Sequence, residues 1–213
     1  MAREDCRTPW LRACGLAALL VTAAAVTAFG QTLPNGDFSD GYFTTEGDTI
    51  PNGWGSAGFS HGCCLYFDME TYHTALGAAR VEGCTDSCAW GFSTGVDDAI
   101  ASQGQEVTLT GWIKLDNVSD TAIVGMQTGC AGGGWQKVEW KRIWTGNGTM
   151  DWTEFSGTIT LPTASWCDNQ YSLNGISLTV HLDMRGTGRF WADDLVVTGP
   201  GSAVRRPGAG YAG

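Results

Sequence analysis

The side chains in this sequence with chemistry to offer are its cysteines, its carboxylates, three histidines and ten tryptophans. After residue 30, Cys63, Cys64, Cys84, Cys88, Cys130 and Cys167 make an even set, which in an oxidising compartment is expected to form disulfides. The competing chemistry is a zinc site, because Cys84 and Cys88 follow closely on Cys63, Cys64, His61 and His73. A vicinal pair makes a poor zinc knuckle, since structural zinc sites usually draw on two spaced ligand pairs. Paired carboxylates are the machinery of glycosidases, which need them roughly 5 to 10 Å apart. With 22 acidic residues in the chain, such pairs arise by chance and identify no enzyme. Ser/His/Asp hydrolysis is not expected, and no His-Glu-x-x-His run, phosphate loop or dinucleotide fingerprint occurs.

The charge balance narrows the partners. Twelve basic residues against 22 acidic give a formal net charge of −10, which repels phosphate backbones and anionic lipid, so nucleic acid is excluded as a partner. A length of 213 residues with 43% apolar content suits one domain with a sizeable core. Residues 1–30 are set apart: Arg3, Arg7 and Arg12 precede an uncharged stretch, Ala13 to Phe29, that closes on Ala28-Phe29-Gly30. A basic start, an apolar middle and a small-residue end are the layout of a secretory signal peptide. An uncleaved anchor is the alternative, although alanine and threonine make the stretch a weak membrane span. The chain is therefore expected to be secreted, extracellular or periplasmic, with a domain over residues 31–199 and a loose Gly-, Ala- and Pro-rich tail over 200–213.

Short alternating runs separated by Gly, Asn, Asp and Ser clusters must position the chemistry. They predict strands at about Ala78 to Gly83, Ala89 to Thr94, Glu106 to Leu115, Thr121 to Gly129, Trp135 to Trp144, Trp152 to Leu161, Ile176 to Met184 and Arg189 to Val197. Turns are expected at Asp116-Asn117, Gly132 to Gly134, Gly146 to Gly148 and Arg185 to Gly188. The fold class that follows is all-β, a two-sheet antiparallel jelly-roll sandwich. In such a sandwich the connections alternate between its two ends, which places Cys130 and Cys167 together and away from Cys84 and Cys88. Since bridged Cα atoms lie within about 7 Å, the expected pairs are Cys130 with Cys167, and Cys63 or Cys64 with Cys84 or Cys88.

Parity along the strands sorts the faces. Val107, Leu109, Ile113 and Leu115 turn inward and Trp112 outward; Leu178, Val180, Leu182 and Met184 turn inward and Thr179, His181 and Asp183 outward. In the run from Trp135, the same rule turns Val138, Trp140 and Trp144 inward, with Trp135, Lys137 and Glu139 outward. Asp193 shares parity with Trp191, Leu195 and Val197, so its carboxylate falls on a face that should be buried and has to be paired, hydrogen-bonded or metal-bound.

Four segments together resemble a known family. Asn35-Gly36-Asp37-Phe38-Ser39-Asp40-Gly41 with Pro51-Asn52-Gly53-Trp54 comes first, Val107 to Lys114 and Asp151-Trp152 to Leu161-Pro162 stand in the middle, and Gly186-Thr187-Gly188 to Asp193-Asp194-Leu195 stands near the end. Their order and rough spacing resemble secreted carbohydrate-binding modules of the family 4, 9 and 22 type. The resemblance implies a galactose-binding-like jelly roll that holds glycan chains and commonly carries structural calcium. Two departures stand out: Ser39 occupies a position where such modules often have Glu, and most of them lack six cysteines. Calcium takes six to eight oxygens, and Asp193 or Asp194 with Asp37 is the expected set; the other reading is a carboxylate capping backbone amides.

Sugars present apolar C–H faces rimmed by hydroxyls, so a glycan groove wants flat rings and directed polar groups. One sheet is expected to hold the strands beginning at Ala89, Ile176, Thr121 and Trp135. Its outward face gathers Trp135 as the platform, with Gln127, Glu139, His181 and Asp183 as hydrogen-bonding rim. Trp112 on the other sheet is a second platform, unless a loop roofs it. The expected function is non-catalytic binding of a polysaccharide or oligosaccharide. The alternatives are a jelly-roll polysaccharide lyase with His181 as base, a glycosidase, or a surface or matrix domain that binds proteins.

Overall fold

The computed structural model describes residues 33–45, 47–56, 63–74, 76–83, 88–96, 101, 103–130, 138–163 and 176–200. The expected signal peptide, the tail from 201 onward, His61, Cys84, Trp135, Lys137, Cys167 and the side chain of Cys130 lie outside them. The elements are β1 (Tyr42–Thr45), β2 (Asp48–Pro51), β3 (Gly55–Ser56), β4 (Cys63–Asp68), β5 (Ala78–Gly83), β6 (Ala89–Gly95), β7 (Glu106–Cys130), β8 (Val138–Thr160), β9 (Ile176–Arg185) and β10 (Gly188–Thr198). No helix among the described residues is long and apolar enough to cross a membrane.

Every pairing is antiparallel. Hydrogen bonding runs β3-β6-β9-β7-β10-β5-β4, with β8 along β7 and β1-β2 as a separate ribbon. Two of the expected turns are not turns. Asp116-Asn117 lies inside β7 and Gly146 to Gly148 inside β8, where the register shifts on both sides of Val118. The turn-forming residues let both strands bend without ending: Asn117 and Gly148 take left-handed φ angles of 52° and 76°, and the Asn117 amide donates to Thr149 Oγ1 at 3.0 Å. Each long strand therefore serves both layers of the sandwich. The second half of β7 pairs with β9 and the first half of β8, whereas its first half pairs with β10 and the second half of β8.

The core between the layers is built from the inward runs that parity predicts, Val107, Leu109, Ile113 and Leu115 on β7 against Leu178, Val180, Leu182 and Met184 on β9, with Phe92, Val81 and Phe190. Burial of each such side chain stabilises the fold by about 1.5 to 3 kcal/mol and fixes the register. The opening motif is a folded loop that closes one end. Asn35 Nδ2 donates to Asn52 O at 3.0 Å, Trp54 Nε1 to Asn35 O at 3.3 Å, and Leu195 N to Gly36 O at 2.8 Å. A Cβ on Gly36 would come within 2.1 Å of Leu195 O, so only glycine permits this approach. Cys63 of β4 bonds Cys88, just before β6, across a Cα separation of 4.7 Å. One of the expected pairings is thus present, and it ties the two layers at their edge.

Two bulges overturn the parity expectations. In β8, Trp144 pairs with Val124 but Arg142 pairs with Gly125, leaving Ile143 as an extra residue. Beyond it every side chain changes face. Trp140, expected inside, is therefore 39% exposed, and Glu139 turns to the opposite face from Gln127. In β10 the register breaks between Asp193 and Val196. Phe190 and Ala192 face the core before the break, Leu195 and Val197 after it. Trp191 and Asp193 consequently face outward, opposite Lys114 and Trp112.

Candidate functional site

The outer face of the layer β6-β9-β7-β8 brings together most of the polar groups expected there. His181 of β9 stands between Ser93 of β6 and Gly125 of β7, Asp183 stands beside Ile123, and Thr179 beside Gln127, which in turn pairs with Trp140 of β8. The indole lies over Gly125, where a Cβ would be in ordinary contact, 3.7 Å from Trp140 Cε3. Trp140 leans across that position and its ring centroid reaches 4.2 Å from His181. Trp135 lies outside the described residues, so the ring the structure places on this face is Trp140. Alternation alone could not find it, because the bulge at Ile143 is invisible in the residue pattern.

His181 and Asp183 are buried, 6% and 7% exposed, yet unsatisfied. Neither ring nitrogen of His181 and not Oδ1 of Asp183 has a hydrogen-bond partner. Burial presses the imidazole down to about pKa 4 and pushes the Asp183 carboxyl up to about 7, against the attraction of Arg185. Near neutral pH the histidine is uncharged, and the aspartate holds its proton to a higher pH than an ordinary carboxyl does. A cleft of about 390 Å³ opens beside Asp183, lined by Ile123, Trp140, Arg142, Asp183 and Arg185; His181 lies next to it, against the Trp140 ring. That volume is in the range of small-molecule and sugar-unit sites, about 300 to 1,000 Å³.

Two Gly-x-Ser-x-Gly runs bear on hydrolysis. Gly58 to Gly62 lies outside the described residues, and Gly91-Phe92-Ser93-Thr94-Gly95 lies within β6. Ser93 sits in register with His181, but a nucleophile elbow is a sharp strand-to-helix turn, and β6 is a regular strand. The unbonded ring nitrogens of His181 also mean that neither Ser93 nor Asp183 engages it, so no triad is assembled.

The other outer face contrasts with this one. His73 stacks on Trp112 at 3.9 Å and lies 5.7 Å from Trp152, so Trp112 is roofed by the segment after β4. Asp193, fully buried, accepts the amides of His73 at 2.9 Å, Thr74 at 3.0 Å and Asp194 at 2.8 Å. Burial raises its pKa to about 6 despite those amides. Asp194 Oδ2 engages His73 Nδ1 at 2.8 Å and the Thr74 hydroxyl, while Asp37 Oδ1 accepts from Ser39. Asp193 thus has the environment of a capped anion, with three backbone amides on its two oxygens. Among the described residues no group of three or more His, Cys, Asp or Glu is arranged to hold a metal ion. Of the expected calcium residues, Asp193 caps backbone amides as the alternative reading has it, Asp194 engages His73 and Thr74, and Asp37 engages Ser39.

No protein-family model and no curated protein matches the sequence. Solved structures do match in shape. A family 22 xylan-binding domain of Paenibacillus barcinonensis Xyn10C superposes with a TM-score of 0.51 at 14% identity, covering 76% of this chain and 90% of that one. A family 16 carbohydrate-binding module gives 0.51 at 14%, covering 78% and 99%. A second family 22 domain of the same Paenibacillus protein gives 0.50 at 15%, covering 77% and 97%. At such identities the likeness establishes the fold, and the architecture of this chain is the jelly-roll sandwich that those carbohydrate-binding modules share.

Proposed function

We propose that this chain is an exported, non-catalytic carbohydrate binder whose ligand docks on the outer face of β6-β9-β7-β8. The observation that carries the reading is the set of buried, unpartnered polar atoms on His181 and Asp183 beside an exposed indole. Native proteins satisfy nearly all buried polar groups, so such atoms, on an Asp183 that lines the cleft and on a His181 against the neighbouring Trp140 ring, call for a partner from outside. A saccharide supplies both halves of that partner, hydroxyls for His181, Asp183 and Gln127 and an apolar ring face for Trp140. The Cys63–Cys88 disulfide supports export, since such bonds persist in oxidising compartments. Fold likeness to modules described as xylan-binding makes xylan the first polymer to try.

Isothermal titration against soluble xylan and other plant and bacterial glycans, together with an assay for polymer shortening, tests this. Saturable binding that Trp140→Ala weakens, with polymer length unchanged, is the expected result. Breakdown of the polymer would instead make His181 a general base, a role its uncharged state permits, and would overturn the non-catalytic reading.

A further inference from the structure

Six lysines and arginines fall among the described residues, and four of them are neutralised by acidic neighbours. Arg80 bonds Asp68 and Glu82, Lys114 bonds Asp151, Lys141 bonds Glu139, and Arg189 faces Glu82 and Asp116. Among the described residues Arg142 and Arg185 are in none of the ion pairs, and both line the cleft with Asp183, whose carboxyl Arg185 attracts. In a chain with a surplus of ten negative charges, two guanidinium groups with one partly protonated carboxyl between them border one cavity. Their elements explain the placement: the bulge at Ile143 turns Arg142, together with Trp140, to the face of His181, and parity along β9 aligns Arg185 with Asp183 and His181.

We infer that the cleft recognises a carboxylate carried on a sugar, an isolated uronic acid group on an otherwise neutral polysaccharide. This rests on the carbohydrate reading above and goes beyond it by naming the charge and spacing of the ligand. A guanidinium presents a planar fork matched to a carboxylate. Asp183 holds a proton for part of the time near neutral pH and can then donate rather than repel. The rest of the surface sets the limit on charge density. Exposed charges interact over about 8 Å at physiological salt, so an acidic protein repels a polymer charged at every unit but accepts one whose anions are sparse.

The test compares four polymers by titration with the protein: a glucuronoxylan, the same polymer with its carboxyl groups reduced to alcohols, a xylan bearing sparse sulfate esters, and polygalacturonate. The expected order places glucuronoxylan tightest by about tenfold over its reduced form, the scale of a hydrogen-bonded charge contact. Arg142→Gln and Arg185→Gln, both at exposed positions, should each erase most of that difference between native and reduced polymer. Arg189→Gln, on the other layer, is the control and should leave it unchanged. Equal affinity for native and reduced polymer, with the arginine variants silent, would overturn the inference and leave carbohydrate binding standing. Tighter binding of the sulfated polymer defeats the carboxylate assignment, and tighter binding of polygalacturonate defeats the sparse-charge assignment. Binding of none of these polymers, or binding indifferent to Trp140→Ala, defeats the underlying site.

Discussion

The two outer faces of this sandwich use the same residue types to opposite ends. Each has a histidine against an indole and a buried aspartate nearby. On one, Asp193 is wrapped by amides, His73 is pinned between Asp194 and Trp112, and Asp68 accepts Trp191 Nε1 at 2.9 Å and Arg80 Nη1 at 2.8 Å. Although burial acts to raise the Asp68 pKa, the Trp191 indole, the Glu70 and Thr71 amides and Arg80 together hold it below its ordinary value. On the other face, His181 and Asp183 are as deeply buried and find no such partners. Burial accounts for neither pattern by itself. Polar groups that are buried and satisfied hold a loop in place, whereas the unsatisfied pair lies beside an exposed indole, with Asp183 lining a cleft, as functional groups with shifted pKa values commonly do.

The largest effect expected from breaking this contrast is on stability. Asp193→Ala strands the amides of His73, Thr74 and Asp194 and releases the segment over Trp112, a loss on the order of 3 to 5 kcal/mol in urea unfolding. Asp183→Asn, which keeps the shape of the protonated acid, should change stability at pH 5 by less than about 1 kcal/mol. Equal losses at the two positions would show that both carboxylates are structural.

The next effect is the pH dependence of that second variant. Asp183 titrates near 7 in the folded chain and near the ordinary carboxylate value when unfolded. From about pH 4 to 7 the native state therefore binds a proton that the unfolded state has lost, and stability falls as pH rises through this window. His181 acts with the opposite sign: its depressed value near 4 means that protonation of the unfolded chain costs stability as pH falls below about 6.5. Asparagine abolishes only the first contribution. Relative to the parent protein, Asp183→Asn should gain about 2 to 3 kcal/mol between pH 5 and pH 8. A difference that stays flat with pH would mean that Asp183 is ionised in the folded state.

The indoles divide in the same way, with smaller consequences. Trp140→Ala should weaken glycan binding by about 1 kcal/mol, the scale of one ring contact, with little loss of stability because the ring is well exposed. Trp112→Ala should leave binding intact and lower the melting temperature, since His73 loses its stacking partner. The reverse outcome would move the site to the other layer.

Much of this was legible in the residue pattern. The strand runs, the inward faces of β7 and β9, the layer that joins β6, β9, β7 and β8, and the outward His181, Asp183 and Gln127 follow from alternation and turn chemistry. What alternation could not supply is continuity and phase. Asp116-Asn117 and Gly146-Asn147-Gly148 have the composition of turns, yet the ladder between β7 and β8 is long enough to carry both strands through them as bends. A bulge leaves no compositional mark, because it is set by pairing with a neighbouring strand, and it inverts every assignment beyond it. Two such inversions exchanged Glu139 for Trp140 on the candidate site and put Asp193 beneath a loop instead of in the core.

That inversion carries the smallest predicted effect. Glu139 lies across from Thr128, on the face away from Gln127, and its carboxylate is held by Lys141. Glu139→Gln should therefore alter glycan affinity by less than about 0.5 kcal/mol, as surface substitutions away from a site do. Removing the bulge makes the sharper version of the test. Deleting Ile143 removes the extra residue while Arg142, Trp140 and Glu139 keep Gly125, Gln127 and Thr128 as partners, so Trp140 stays on the His181 face. Glycan affinity should then change by less than about 0.5 kcal/mol in a protein that stays folded by circular dichroism. Loss of binding in a folded deletion variant would show that this pairing does not set the face on which Trp140 stands.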